Sequence, residues 1–378
     1  MRVCYFGTYR EEYSRNQIMI EGLRRSGVEV IECHEPLWHG IEDRVQAASG
    51  GWLRPAFLGR VILAYWRLLQ RYRRVGQYDI MVVGYPGQFD VFVARLLTWT
   101  RRKPLVWDIF MSIYLIALER GLEERNHFTI GFLRWLEGLA CRLPDLLILD
   151  TSEYVAWFEK TYHLPAGQFR LVPTGADDRI FHCLDTHPSE DGLFHVLYYG
   201  TFIPNHGIRY IIEAARLLAD DPAIHIEMIG DGPECELAQT LTRQYHLENV
   251  AFMQWLQKKE LVQRVAQADI CLGAFGATPQ SLMTVQNKIY EGLAMAKPVV
   301  TGDSPAVRQA LTHGVHVYLC ARQDPPALAQ AIQMLKTDPQ LRNSLAENGY
   351  AVFHEKFDLF HIGQNFARCL LAAIENRK

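Results

Sequence analysis

Two doubly wound α/β domains in series are the fold this sequence predicts, on three observations. Short apolar runs rich in β-formers alternate with longer helical patterns, the alternation is interrupted once, and it then begins again. In the first half, 3–6, 28–32, 80–83 and 105–107 read as strands, with helices over 16–26 and 55–75 and from Asp90 onward. The interruption is 174–193, where Gly175, Pro188 and Gly192 stand among Asp and Ser residues and read as a linker. In the second half, strands at 195–199, 225–229, 250–252, 270–274 and 298–301 alternate with helices at 208–218, 234–245, 259–266 and 287–295. Open parallel sheets bind ligands beyond the carboxyl ends of their strands, so two such domains facing one another would frame a deep cleft.

Composition bounds the rest. A chain of 378 residues, 49% hydrophobic and 21% charged, is too long for one core and suits two. Its eight cysteines include no C-x-x-C pair, which fits a reducing cytosol and argues against a zinc site or a disulfide framework. The first residues run straight into a strand, so no signal peptide is expected, and the apolar window 105–118 is too short to span a bilayer. A cytoplasmic protein is the expectation. A net charge of −3 hides an asymmetry, because 44–103 holds eleven Lys or Arg against two acids. In the helix 55–75, Arg60, Arg67, Arg71 and Arg74 share one face, opposite Val61, Ile62, Tyr65, Trp66, Leu68, Leu69 and Tyr72. That pattern reads either as a peripheral contact with the inner face of a membrane or as an ordinary helix packed on its sheet. Nucleic acid is disfavoured by the absence of a recognition motif and the negative net charge.

Chemistry-bearing residues gather at strand ends. Gly200 and Thr201 follow the first strand of the second half, with His206 just before the glycine that opens a helix, a turn suited to a diphosphate but also common for steric reasons. Gly230, Asp231 and Gly232 end the next strand in a tight loop that lets a flat ring approach the backbone, and Phe252 ends the one after. Asn287, Lys288 and Glu291 lie within one helical turn, so Lys288 can neutralise phosphate while Glu291 accepts from ribose hydroxyls; the alternative is a surface i, i+3 ion pair. In the first half, Gly7, Arg15 and Asp108 stand where a ligand-facing edge is expected. A carboxylate ending a buried strand such as Asp108 is costly unless hydrogen-bonded, so it is either a structural turn cap or a site residue.

The run Asn287-Lys288-Ile289-Tyr290-Glu291-Gly292-Leu293-Ala294, continuing to Lys297-Pro298-Val299-Val300, resembles the nucleotide-sugar motif of the family 4 glycosyltransferases, the glycosyl transferase group 1 domain. Val172-Pro173-Thr174-Gly175-Ala176-Asp177 with Phe181, Gly230-Asp231-Gly232-Pro233, and Asn249-Val250-Ala251-Phe252 fall in the same order as that family's other signatures. The resemblance implies a GT-B fold of two Rossmann-like domains. Residues 1–175 are then the acceptor side, 176–355 the nucleotide-sugar side, and 356–378 a C-terminal helix returning to the first. It implies no resident cofactor, a UDP- or GDP-sugar as donor, a glycan or lipid-linked acceptor, and transfer with retention of configuration. Glu291 matches the second glutamate of the family's Glu-x7-Glu pair, whereas Met283 stands where the first belongs. His206 replaces a usual lysine, so phosphate compensation leans on Lys288, with help from His206 if it is protonated. Lys288, His206 and Asp108 are the candidate catalytic residues. Gly7, Arg15, Gly200, Thr201, Gly230, Asp231, Gly232, Phe252, Asn287 and Glu291 are the candidate donor-binding set. Without an Asp-x-Asp triplet, no metal is expected. The two departures keep open a catalytically silent subunit that binds nucleotide or scaffolds glycan assembly.

Overall fold

The structure is a computed structural model that describes residues 1–37, 55–122, 127–165, 167–184 and 191–375. Arg44 and Arg54 of the basic run and Pro188 of the expected linker lie outside these residues. The chain divides into two compact units, Met1–Thr174 with Leu359–Lys378, and Gly175–Asp358.

Unit 1 is built on six parallel strands, β1 (Arg2–Gly7), β2 (Glu29–His34), β3 (Ile80–Val83), β4 (Leu105–Asp108), β5 (Leu146–Leu149) and β6 (Phe169–Leu171), in the order β2-β1-β3-β4-β5-β6. The helices between them are α1 (Ser14–Arg25), α2 (Pro55–Arg74), α3 (Asp90–Arg101), α4 (Ile113–Glu119), α5 (His127–Ala140) and α6 (Ser152–Tyr162). Because side chains alternate across a strand, Val3 and Tyr5 of β1 face α1, while Phe6 faces the opposite layer and meets Tyr72 of α2 with ring centroids 6.0 Å apart. Right-handed crossovers put α2, α3 and α5 together in that opposite layer. On the α1 side, α15 (Leu359–Glu375) completes the core with Leu359, Ile362, Phe366 and Leu370. The two helices touch through glycines: a Cβ on Gly363 would stand 1.8 Å from the carbonyl oxygen of Gly22, so no larger residue fits that crossing.

Unit 2 repeats the plan. Strands β7 (Phe194–Tyr199), β8 (Ile224–Ile229), β9 (Val250–Met253), β10 (Ile270–Leu272), β11 (Val299–Gly302) and β12 (Tyr318–Cys320) form a parallel sheet in the order β12-β11-β10-β7-β8-β9. Helices α7 (Ile208–Leu217), α8 (Cys235–Gln244), α9 (Lys258–Gln267), α10 (Pro279–Met283), α11 (Asn287–Ala294), α12 (Pro305–Ala310), α13 (Pro325–Thr337) and α14 (Pro339–Lys356) cover it. Val196 and Tyr198 point into a core with Ile208, Ile211 and Ile332; Leu197 and Tyr199 point into the opposite one with Ile289, Leu293 and Phe353. The linker reading needs correction at its start. Ala176 and Phe181 are buried in unit 2, and the Ala176 amide donates to the Phe357 carbonyl, so the chain packs at once after Thr174 because those apolar side chains have a core to enter.

Candidate functional site

The carboxyl ends of β7 and β8 bring two glycine loops into contact. Gly200 (φ 142°) and Gly230 (φ 138°) are held so closely that a Cβ on Gly230 would fall 2.0 Å from the Gly200 carbonyl oxygen. The loops are laced by the Gly200 amide donating to Ile229 and the Phe202 amide donating to Asp231, both at 2.9 Å. Phe252 lies half-buried against Phe202, with ring centroids 6.3 Å apart. Asp231 is exposed at the loop tip and accepts from the Gly232 amide.

Lys288, in the first turn of α11, reaches back to this edge. Its side chain is buried (6% exposed), its ammonium sits 4.0 Å above the Tyr198 ring, and a Cβ on Gly200 would touch Nζ at 2.7 Å. Among the described residues it makes no ion pair within 4 Å. Burial pushes its pKa down to about 7, with Glu291 partly opposing the shift. Glu291, one turn on, is pushed up to about 7 by burial, offset by a hydrogen bond from Tyr199 and by the nearby Lys288. Asn287, the first residue of α11, is half-buried.

His206 stands 3.4 Å from Lys288 Nζ through Nδ1, which is 2.7 Å from the Thr201 carbonyl oxygen and 2.9 Å from the Tyr198 hydroxyl. A carbonyl only accepts, so Nδ1 carries a proton and donates to Thr201. Burial, then the neighbouring lysine, holds the imidazole pKa well below its ordinary value. His206 is therefore neutral, and the reading of it as a second positive charge is corrected: a cation beside a buried cation is disfavoured.

The segment entering α11 is braced by a residue that no motif singles out. Arg322 donates through Nη1 to the Gly276 carbonyl (2.6 Å) and to Ser281 Oγ (2.8 Å), and through Nε to Asp303. Ser281 Oγ donates in turn to the Asn205 carbonyl at 2.7 Å, and Thr278 caps α10 by accepting from the Ser281 amide. Met283 is buried.

In unit 1 two sequence candidates are brought together and closed off. Arg15 grips Asp108 at 2.9 Å through both Nε and Nη2, and its Nη1 donates to the carbonyls of Val172 and Pro173. Neither side chain has accessible surface. The expectation that Asp108 is catalytic and Arg15 donor-binding gives way to a structural pair, because each buried charge needs the other and neither has a face left for a ligand. The Gly7 loop is likewise pinned, with the Thr8 amide and hydroxyl and the Tyr65 hydroxyl all donating to Asp90. Ser112 caps α4 and donates to the buried carboxylate of Glu137.

Residues 194–338 match the family model described as Glycosyl transferases group 1. Among curated proteins, an alpha-D-kanosaminyltransferase of Streptomyces kanamyceticus is 26% identical over 70% of this chain and 69% of its own length. The lipopolysaccharide core biosynthesis glycosyltransferase LpsD of Rhizobium meliloti is 26% identical over 60% of this chain and 62% of its own. Among solved structures, Anabaena HepE in complex with UDP superposes with a TM-score of 0.70 at 18% identity, over 98% of this chain and 99% of that one. Sucrose-phosphate synthase of Thermosynechococcus elongatus gives 0.74 at 17%, over the same shares.

Proposed function

We propose that this chain, a GT-B glycosyltransferase, moves a sugar from a nucleoside-diphosphate donor held by unit 2 to a glycan or lipid-linked acceptor, with retention of configuration and without a metal. One observation supports this reading above the others: a buried ammonium, Lys288, that makes no ion pair within 4 Å among the described residues rests against the bare backbone of Gly200 at a strand end. A diphosphate supplies the missing charge. Gly200 carries no side chain to keep a phosphate from the ammonium, and stabilising the departing nucleotide is the largest service such a site renders. Glu291 accepts from ribose hydroxyls, Phe252 and the Gly230–Gly232 loop flank the base, and Asn287 and Thr201 complete the donor's polar contacts. UDP is the first donor base to test, since the neighbouring HepE structures hold UDP, UDP with glucose, and UDP-glucose.

The arrangement carries a pH signature. Diphosphate favours the charged form of Lys288, whose pKa in the free protein is about 7, so binding takes up a proton above that pH. Affinity then falls as pH rises beyond about 7, approaching tenfold per unit. Protonation of Glu291 weakens binding on the acid side. The experiment is nucleotide release from UDP-, GDP- and ADP-sugars, with and without EDTA, for the wild type and Glu291→Ala, with the product anomer assigned by NMR. Release insensitive to EDTA, lost in Glu291→Ala and giving the donor's own anomeric configuration is expected; an inverted product or an EDTA-sensitive rate overturns the mechanism.

A further inference from the structure

Three helices of unit 1, α2, α3 and α5, each turn an apolar stripe away from the sheet. On α2, Ala64, Leu68 and Tyr72 pack inward, while Leu58, Ile62, Trp66 and Leu69 form an outward row, with Ile62 70% and Trp66 57% exposed. Leu96 and Trp99 do the same on α3. The longest stripe is on α5, where Phe128, Phe132, Trp135 and Leu139 recur at helical spacing opposite the buried Ile130, Leu133 and Leu136; Phe128 is 84% exposed and Trp135 61%.

The helices form one continuous layer. Tyr65 of α2 donates to Asp90 of α3 at 2.8 Å, and Arg101 at the end of α3 donates to Gly76 just beyond α2. Gln88, just before α3, donates to Glu137 of α5, and Arg95 of α3 donates to the Leu143 carbonyl beyond α5.

Charge on this layer has one sign. Among the described residues, the acids of the three helices are Asp90 and Glu137, both turned inward and buried. Arg67, Arg71, Arg73, Arg74, Arg102 and Arg134 are exposed beside the stripes, and among the described residues only the first two meet a carboxylate, that of Glu35. Patches of a few exposed aromatic residues mark an interaction surface. A second copy applied to the same patch would set arginine against arginine, whereas a surface that is apolar below and anionic above satisfies both features.

We propose that the α2–α3–α5 layer docks on an anionic lipid bilayer, with Trp66, Trp99 and Trp135 at headgroup depth, Ile62, Phe128 and Phe132 inserted among the acyl chains, and the arginines on lipid phosphates. No described helix is long and apolar enough to cross a membrane, so the contact is peripheral. It presents the enzyme to an acceptor confined to the bilayer surface. This refines the lipid-linked option of the proposed acceptor, yet its test is separate from donor turnover.

The purified full chain is sedimented with vesicles of phosphatidylcholine alone and of phosphatidylcholine mixed with phosphatidylglycerol, beside Phe128→Ser/Trp135→Ser and Arg73→Glu/Arg74→Glu. All four positions are exposed, and thermal melting together with release of nucleotide from the sugar donor in vesicle-free solution verifies that each variant is intact. The wild type is expected to partition onto the mixed vesicles and not the neutral ones, with each double variant losing at least about tenfold in partitioning at unchanged release. Partitioning of the wild type onto neither vesicle, or variants that bind as well as the wild type, overturns the proposal. So does a wild-type dimer that Phe128→Ser/Trp135→Ser converts to monomer without any vesicle binding, which would assign the stripe to a second copy.

Discussion

Each unit buries a cation near the carboxyl ends of its strands, and the two are treated in opposite ways. Arg15 in unit 1 meets the carboxylate of Asp108 and two carbonyls, and all three of its nitrogens are used. Lys288 in unit 2 meets an aromatic face, a neutral histidine and a glycine backbone, with Glu291 one turn away but not in an ion pair among the described residues. A buried charge that is fully paired holds a structure together; one left without a counter-anion costs free energy until a ligand brings the anion. A cation buried at the start of a helix is thus a brace in unit 1, and under the proposed function it is the receptor for the donor's phosphates in unit 2.

The largest effect is expected at the Arg15–Asp108 pair. Asp108→Ala strands a guanidinium in the core and is expected to cost about 3–5 kcal/mol in urea unfolding; an unchanged midpoint would mean that Arg15 finds its support elsewhere. The counterpart, Lys288→Met, is expected to leave stability level or slightly raised while weakening nucleotide binding by about 2–3 kcal/mol, read by calorimetry. Equal losses in stability and binding would remove the distinction between brace and receptor. Gly230→Ala forces a methyl onto the Gly200 carbonyl, and a cost of about 1–3 kcal/mol in thermal unfolding is expected. The smallest effect is Thr278→Ala, which removes the α10 cap and is expected to cost about 1 kcal/mol in thermal unfolding.

Sequence periodicity was enough for the architecture because strands buried on both sides of a parallel sheet read as unbroken apolar runs, as Ile80–Val83 does. It was enough to set Lys288 and Glu291 near one another, because i, i+3 spacing puts them on one face. It failed where the partner is remote in sequence. Nothing about Arg322 announces that it will bolt Ser281, and Asp108 alone does not declare that Arg15, in the first helix, will consume it. On α2 the sequence distinguished two faces, basic and apolar, where the structure has three. Tyr72 and Leu68 face the sheet, but Ile62 and Trp66, also apolar, face away, and a single amphipathic wheel does not separate them.

The glycine crossing of α1 and α15 sets the order in which this protein matures. During synthesis the sheet of unit 1 emerges first, yet Ile18, Met19 and Leu23 lack their cover until 359–375 has been made, after all of unit 2. The half translated second can close its cores while the half translated first still waits with an apolar face bare. A nascent chain arrested between the two events would carry a finished unit 2 beside an unfinished unit 1, and that interval is when a chaperone has most to hold.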